Sequence, residues 1–222
     1  MPNWLVNGDV LDNYLKACKE AKVEDFKNDW RFRPIFEHCK KFIAVQYVEM
    51  VRKNNPDLLK VQWTNDRIGD PFLQEISGWY GSTSTAQYMG VLSNLIDLYK
   101  TLVDLDILEI GGGYGGQALC ILDIFCPKSY TILDLPEVNE LQEKVLKGTI
   151  VKSVSTIPKK KYDLVISNFA LSEIPDQEPY QKLLKRCTHG YITCNTEYVN
   201  LDWAHKMPDV EGERPTNYIL TW

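Results

Sequence analysis

Three groups of residues in this 222-residue chain have the types and spacing to do chemistry. The first is Glu109-Ile110-Gly111-Gly112-Gly113-Tyr114-Gly115-Gly116-Gln117, lying between a short apolar run and a helical pattern. Glycines let a backbone turn tightly and approach a ligand closely, and the start of a following helix presents unpaired N–H groups. Two nucleotide-binding readings fit. Gly111, Gly113 and Gly116 match the dinucleotide spacing Gly-x-Gly-x-x-Gly, whereas Glu109, Gly111, Gly113 and Gly115 match the acid-x-Gly-x-Gly-x-Gly of nucleotide-dependent methyltransferases. Charge separates them. A carboxylate at the strand tip repels a pyrophosphate and suits the ammonium of the methionine part of S-adenosyl-L-methionine.

The second group is Asp134, which closes the next apolar run ahead of Leu135 and Pro136. A carboxylate there can accept hydrogen bonds from both ribose hydroxyls of an adenosine; the alternative is a cap for the helix starting near Pro136. The third group is Asn168, Ser172, Glu173 and Asp176, beyond another run. Ligands of open α/β sheets collect past the carboxyl ends of the strands, so these residues sit where a methyl acceptor meets its donor. Methyl transfer to a hydroxyl gains from a base within hydrogen-bond reach. Glu173 is the first candidate and His205 the second. A metal-assisted variant would use Glu173 and Asp176 as ligands.

The elements that must hold these residues are legible as a change of period. From Val10 to Asn54 apolar and aromatic residues recur at helical steps, among them Leu11, Tyr14, Leu15, Cys18, Phe32, Ile35, Phe36, Cys39, Phe42 and Ile43. Residues 63–84 are rich in Gly, Ser, Thr, Asp and Pro and read as a long loop, and a further helix is expected over residues 84–99. After Asp104 short apolar runs (residues 105–110, 130–135, 149–154, 162–167, 191–195 and 217–222) alternate with helix-length segments, which implies a mostly parallel sheet covered on both faces. The expected division is an N-terminal helical and lid segment over residues 1–103, contributing to acceptor binding, and a nucleotide-binding domain over 104–222.

Composition narrows the partners. Hydrophobic residues make up 44% of the chain, enough for a core, and the net charge of −5 argues against a grip on nucleic acid. No apolar run reaches the roughly 18 residues that cross a bilayer, and residues 1–9 do not read as a signal sequence. The six cysteines form no Cys-x-x-Cys pair, and His38, His189 and His205 have no ligand spacing. The expectation is a cytoplasmic protein with reduced thiols and no metal.

Several of these segments together resemble the sugar O-methyltransferase family, within the class I S-adenosylmethionine-dependent methyltransferases. The resemblance runs from about Ile68 to Trp222 and rests on Ile68-Gly69-Asp70-Pro71, residues 82–95 with Tyr88, residues 109–117, residues 129–138, residues 163–173, Gly190-Tyr191-Ile192-Thr193 with Asn195, and Asn217-Tyr218-Ile219-Leu220. It implies an α/β fold, a Rossmann-like class I methyltransferase sheet, with S-adenosyl-L-methionine across its carboxyl edge and a saccharide or glycan hydroxyl as acceptor, such as that of a deoxyhexose. Glu109, Gly111, Gly113, Tyr114, Gly115, Asp134, Leu135, Ser155 and Asn168 would then line the cofactor, with Ser84 and Tyr88 near the methionine carboxylate. Three positions depart from the family pattern: Ser172 stands where a catalytic His is common, Ser155 where an acid meets adenine, and Gln87 where Arg is more frequent.

Trp79 and Tyr80, flanked by Gly78 and Gly81, are expected to fold over the acceptor, since aromatic faces pack on sugar rings. Asp176, Asn195, Glu197, Trp203 and His205 would form the opposite side. With so little chain left after His205, the sheet is expected to lack one terminal strand. Two rivals stay open: an NAD(P)-dependent oxidoreductase using the other glycine spacing, and a non-catalytic methyltransferase-like domain that binds a glycan or a partner.

Overall fold

A computed structural model describes residues 8–35, 39–195, 199–210 and 217–222. The front segment holds α1 (Gly8–Glu20), α2 (Lys41–Asn54), β1 (Gln74–Ile76), β2 (Trp79–Gly81) and α3 (Thr83–Tyr99). The remainder holds β3 (Asp106–Ile110), α4 (Gly116–Leu122), β4 (Ser129–Leu133), α5 (Pro136–Val145), β5 (Val151–Val154), β6 (Leu164–Asn168), α6 (Ala170–Glu173), α7 (Glu178–Leu184), β7 (His189–Cys194), β8 (His205–Pro208) and β9 (Tyr218–Thr221). Phe36, Glu197, His38 and residues 1–7 lie outside the described residues.

Seven strands form one sheet in the order β5-β4-β3-β6-β7-β9-β8. The first five run parallel, and β9 lies antiparallel between β7 and β8. The central strands read as unbroken apolar runs because helices cover both faces. Alternation along β3 then divides the core: Ile107 joins one buried cluster, and Leu108 and Ile110 join the other. The first cluster also takes Tyr14, Phe26, Val48, Trp79 and Leu92, so the front segment packs on one face of the sheet. Among the described residues no helix is long and apolar enough to cross a membrane.

Three sequence expectations need correction. Residues 63–84 contain a hairpin, β1 paired with β2 across Ser77 and Gly78. Both turn residues have positive φ, 50° and 77°, as a tight two-residue turn requires, but three-residue strands are too short to show a period. The sheet also has no missing strand, because β8 supplies it. Its sequence, His-Lys-Met-Pro, is mostly exposed at the sheet edge and carries no apolar run. Third, Phe32 and Ile35 lie in successive tight turns, with i to i+3 bonds such as Ile35 N–H to the Phe32 carbonyl at 3.0 Å, rather than in a helix.

α3 is the element that carries the front segment to the sheet. Ser82 caps it, accepting from Thr85 N–H at 3.1 Å, and Lys100 ends it with φ 66°. It packs against α2 at Gly90, where an added Cβ would lie 2.2 Å from a Tyr47 ring carbon. Helix propensity favours Ala over Gly by about 1 kcal/mol, but a backbone-fixed methyl against a fully packed ring costs about 1–3 kcal/mol. Overpacking wins: Gly90→Ala is expected to destabilise, read as a lower urea midpoint, and a raised midpoint would show that Tyr47 moves freely.

Candidate active site

The glycine turn sits between β3 and α4 and is shaped by its neighbours as much as by dihedrals. Gly111 has φ +72°, and a Cβ there would lie 2.0 Å from the Ala170 methyl. Gly115 has φ +94° with Leu146 at 2.6 Å, and at Gly116 a Cβ would meet the Tyr88 ring at 2.3 Å. These glycines therefore let β6–α6, α5 and α3 close around the carboxyl edge of β3. Tyr114 is fully buried, with Tyr88 at 6.4 Å and Phe26 at 5.2 Å between ring centroids.

Below the turn, Glu109 is 2% exposed and accepts a hydrogen bond from Tyr130 Oη at 2.8 Å. Burial pushes its carboxyl up to about 7; the charge of Asp134 adds to this and the Tyr130 bond opposes it. Asp134, at the end of β4, is likewise pushed to about 7 by burial. Its carboxylate accepts from Leu135 N–H at 2.8 Å, Gly113 N–H at 3.1 Å and Gln142 Nε2 at 3.2 Å. Those bonds, with no side-chain cap on α5, exclude the helix-cap alternative. They also occupy three of the roughly four acceptor positions of a carboxylate, leaving one for a ribose hydroxyl rather than two.

Around Asp134 the structure gathers Leu135 and Ser155. Asp134 N–H donates to the Val154 carbonyl at 3.0 Å, which sets the exposed Ser155 beside it at the end of β5. α1 comes to the same place, since Tyr14 and Cys18 lie close enough for the Asp134 charge to raise both of their pKa values further.

The turn after β6 forms the other half. Phe169 has φ +66°, unusual for a bulky residue and characteristic of constrained sites. Ser167 Oγ locks this turn, donating to the Ile110 carbonyl at 3.0 Å and accepting from Leu171 N–H at 3.1 Å. Ser172 is buried; its hydroxyl bonds the Phe169 carbonyl at 2.5 Å and Asn195 Oδ1 at 3.0 Å. It thus joins β7 to this turn. Asn168 is held between Gln117 and Thr193, each at 3.4 Å. Glu173 stands apart: burial pushes its carboxyl to about 7, and among the described residues it has no hydrogen-bond partner.

The substrate-side residues are less converged. Trp79 is 7% exposed and packs its ring over Gly81, while Tyr80 is 67% exposed on the other face of the hairpin. Asp176 is exposed and accepts from Glu178 N–H at 3.3 Å. Trp203 is partly buried, with Lys185 Nζ 4.7 Å from its ring centre. His205 is exposed on the edge strand β8, three strands from β6 or about 14 Å at the usual spacing. The structure does not bring it to Glu173. Among the described residues no three His, Cys, Asp or Glu side chains form a metal-binding group.

Several residues here escaped the sequence reading. Lys27 is 4% exposed, its Nζ 2.7 Å from the Asn65 carbonyl and 4.7 Å from the Tyr114 ring centre. Asn65 accepts from Tyr114 Oη at 2.9 Å and donates to Thr85 at 2.8 Å, and Asp66 accepts from Ser82 and Thr85, both at 2.5 Å. This buried network, with Ser84 bonded to Ser82 at 3.1 Å, ties the residue 63–84 segment and the start of α3 to the glycine turn. Isolated polar residues in a segment without period carry no sequence signal of such a role.

The strand order, with β9 reversed between β7 and β8, and the glycine turn on the first parallel strand define the Rossmann-like fold of class I methyltransferases. An all-parallel dinucleotide-binding sheet is not what the chain forms. No protein-family model matches the chain. It is 29% identical over 114 residues to the protein-L-isoaspartate O-methyltransferase of Pyrococcus abyssi, covering 47% of this chain and 51% of that protein. The Pyrococcus horikoshii enzyme of the same name is 29% identical over 104 residues, covering 43% and 46%. The chain therefore spans about half the length of the curated relatives it matches. Among solved structures, magnesium protoporphyrin IX methyltransferase from Synechocystis PCC 6803 aligns with a TM-score of 0.47 at 14% identity, over 62% of this chain and 77% of that one.

Proposed function

We propose that the chain is an S-adenosyl-L-methionine-dependent O-methyltransferase whose acceptor is a sugar hydroxyl. The observation that carries this reading is that Glu109, Asp134 and Glu173 lie at or just past the carboxyl ends of three strands of one sheet, each pushed to about 7 by burial, with Glu109 close enough to Asp134 to feel its charge. Such an edge repels the two phosphates of a dinucleotide and gains from a cationic ligand. When bound, the donor supplies a sulfonium methyl group and an ammonium. Asp134 would hold a ribose hydroxyl, Glu109 would supply negative charge beneath the glycine turn, and Asn168 and Tyr88 would flank the amino-acid end.

The relatives methylate isoaspartyl groups by name, which makes a carboxylate acceptor the second reading. A carboxylate is already ionised and needs no base, and it is repelled by a neighbouring acid. A hydroxyl does need one. Glu173, held near 7 and without a hydrogen-bond partner among the described residues, therefore favours the hydroxyl. The sugar, as the particular hydroxyl acceptor, is taken from the sequence resemblance alone.

Calorimetric titration tests the cofactor. Below pH 7 the Glu109 and Asp134 carboxyls take up protons and lose their charge, so affinity for the cationic donor is expected to fall as pH drops from 8 to 6, and to fall less for neutral-sulfur S-adenosylhomocysteine. Absence of binding by either ligand at pH 8 would end the reading. Labelled methyl transfer to a panel of glycosides and to an isoaspartyl peptide then decides the acceptor, and transfer to neither supports a binding module.

A further inference from the structure

We propose that Gln142 of α5 is a positioning residue, which clamps Gly113 of the glycine turn to Asp134 and holds the Asp134 carboxylate toward the nucleoside. This deepens, and rests on, the reading of the carboxyl edge as the donor site. The three groups form a closed ring. Gln142 Nε2 donates to the Gly113 carbonyl at 2.7 Å and to Asp134 Oδ2 at 3.2 Å, and Gly113 N–H donates to that same Oδ2 at 3.1 Å. Two acceptors facing one amide nitrogen fix its orientation, since the flipped amide would place oxygen against oxygen.

The position is an unlikely place for a polar group on packing grounds. Gln142 is fully buried on the face of α5 that also buries Val138, Leu141 and Val145. Its Oε1 is buried with no hydrogen-bond partner among the described residues. An unmet acceptor costs stability that Leu would not. The fold thus keeps an amide where an apolar side chain would pack better, and what the amide reaches is the turn and the acid.

The groups facing Asp134 show why the clamp matters. They are Glu109 from β3, Tyr14 and Cys18 from α1, and Tyr180 from α7. Each is an acid. Tyr14 is raised well above the usual tyrosine range, Cys18 to about 12, and Tyr180 is raised also, so Glu109 is the neighbour that titrates together with Asp134. Against burial, the N–H groups of Leu135 and Gly113 and then the Gln142 donor favour the ionised form.

The experiment compares the wild type with Gln142→Leu, using Gln142→Met where the Leu variant does not fold. Carbon-13 carboxyl NMR on the ligand-free protein is expected to show the Asp134 midpoint raised by about one pH unit. Calorimetry at pH 7 is expected to show S-adenosylhomocysteine bound about tenfold more weakly, with the loss shrinking as pH rises. A folded variant with an unchanged midpoint and unchanged affinity overturns the clamp. A raised midpoint in a protein whose wild type binds no S-adenosylhomocysteine supports the clamp and overturns the donor reading instead.

Discussion

Glu173→Gln is expected to lower kcat by about 10²- to 10⁴-fold, the usual worth of a positioned general base, while leaving donor affinity unchanged. Gln keeps the size and the hydrogen-bonding edge of Glu but cannot take a proton. The wild-type rate is expected to fall below about pH 7, where the Glu173 carboxyl protonates, because the base is then lost; above that pH the rate levels off. In the variant this acid limb disappears along with the activity. A variant with wild-type kcat on the true acceptor would remove Glu173 from the chemistry and leave the donor site standing. A carboxylate acceptor would give that result, so the same measurement separates the two acceptor classes.

Asp134→Ala is expected to weaken S-adenosylhomocysteine binding by about 10- to 100-fold, the worth of one charge-assisted hydrogen bond of about 1.5–3 kcal/mol. With three acceptor positions of the carboxylate already spent on Leu135, Gly113 and Gln142, one ribose bond is the geometric allowance. A loss of 10⁴-fold would mean that the Asp134 shell rearranges to take both hydroxyls. The effect belongs to donor KM: at saturating donor, kcat should survive, since Asp134 touches no reacting atom. A calorimetric affinity equal to that of the wild type would take Asp134 out of the binding site.

Much of the site was legible because its residues follow strands. Glu109, Gly111, Asp134, Ser155, Asn168 and Glu173 each sit at or just past the end of an apolar run, and a parallel sheet brings such ends to one edge wherever the runs are recognised. The acceptor side depends instead on loops, where no strand end fixes a residue's position. Trp79 turned out to pack inward over Gly81, and His205 to open an edge strand. Both residues stand in short or polar stretches where no period announces which face is inside.

The chain of amino acids by itself determined the alternation of strand and helix, the glycine turn and the acids that flank it, since each of these is a local pattern with a local physical cause. Only the tertiary structure decided how those acids behave. Burial raises Glu109, Asp134 and Glu173 together, an outcome that depends on what covers them: α1 beside Asp134, Tyr130 against Glu109, and, among the described residues, no hydrogen-bond partner for Glu173. It also decided that Lys27, Asn65 and Gln142, which belong to no motif, brace the glycine turn from the side. Desolvation and long-range hydrogen bonds are properties of packed neighbours, and no spacing along a chain encodes them.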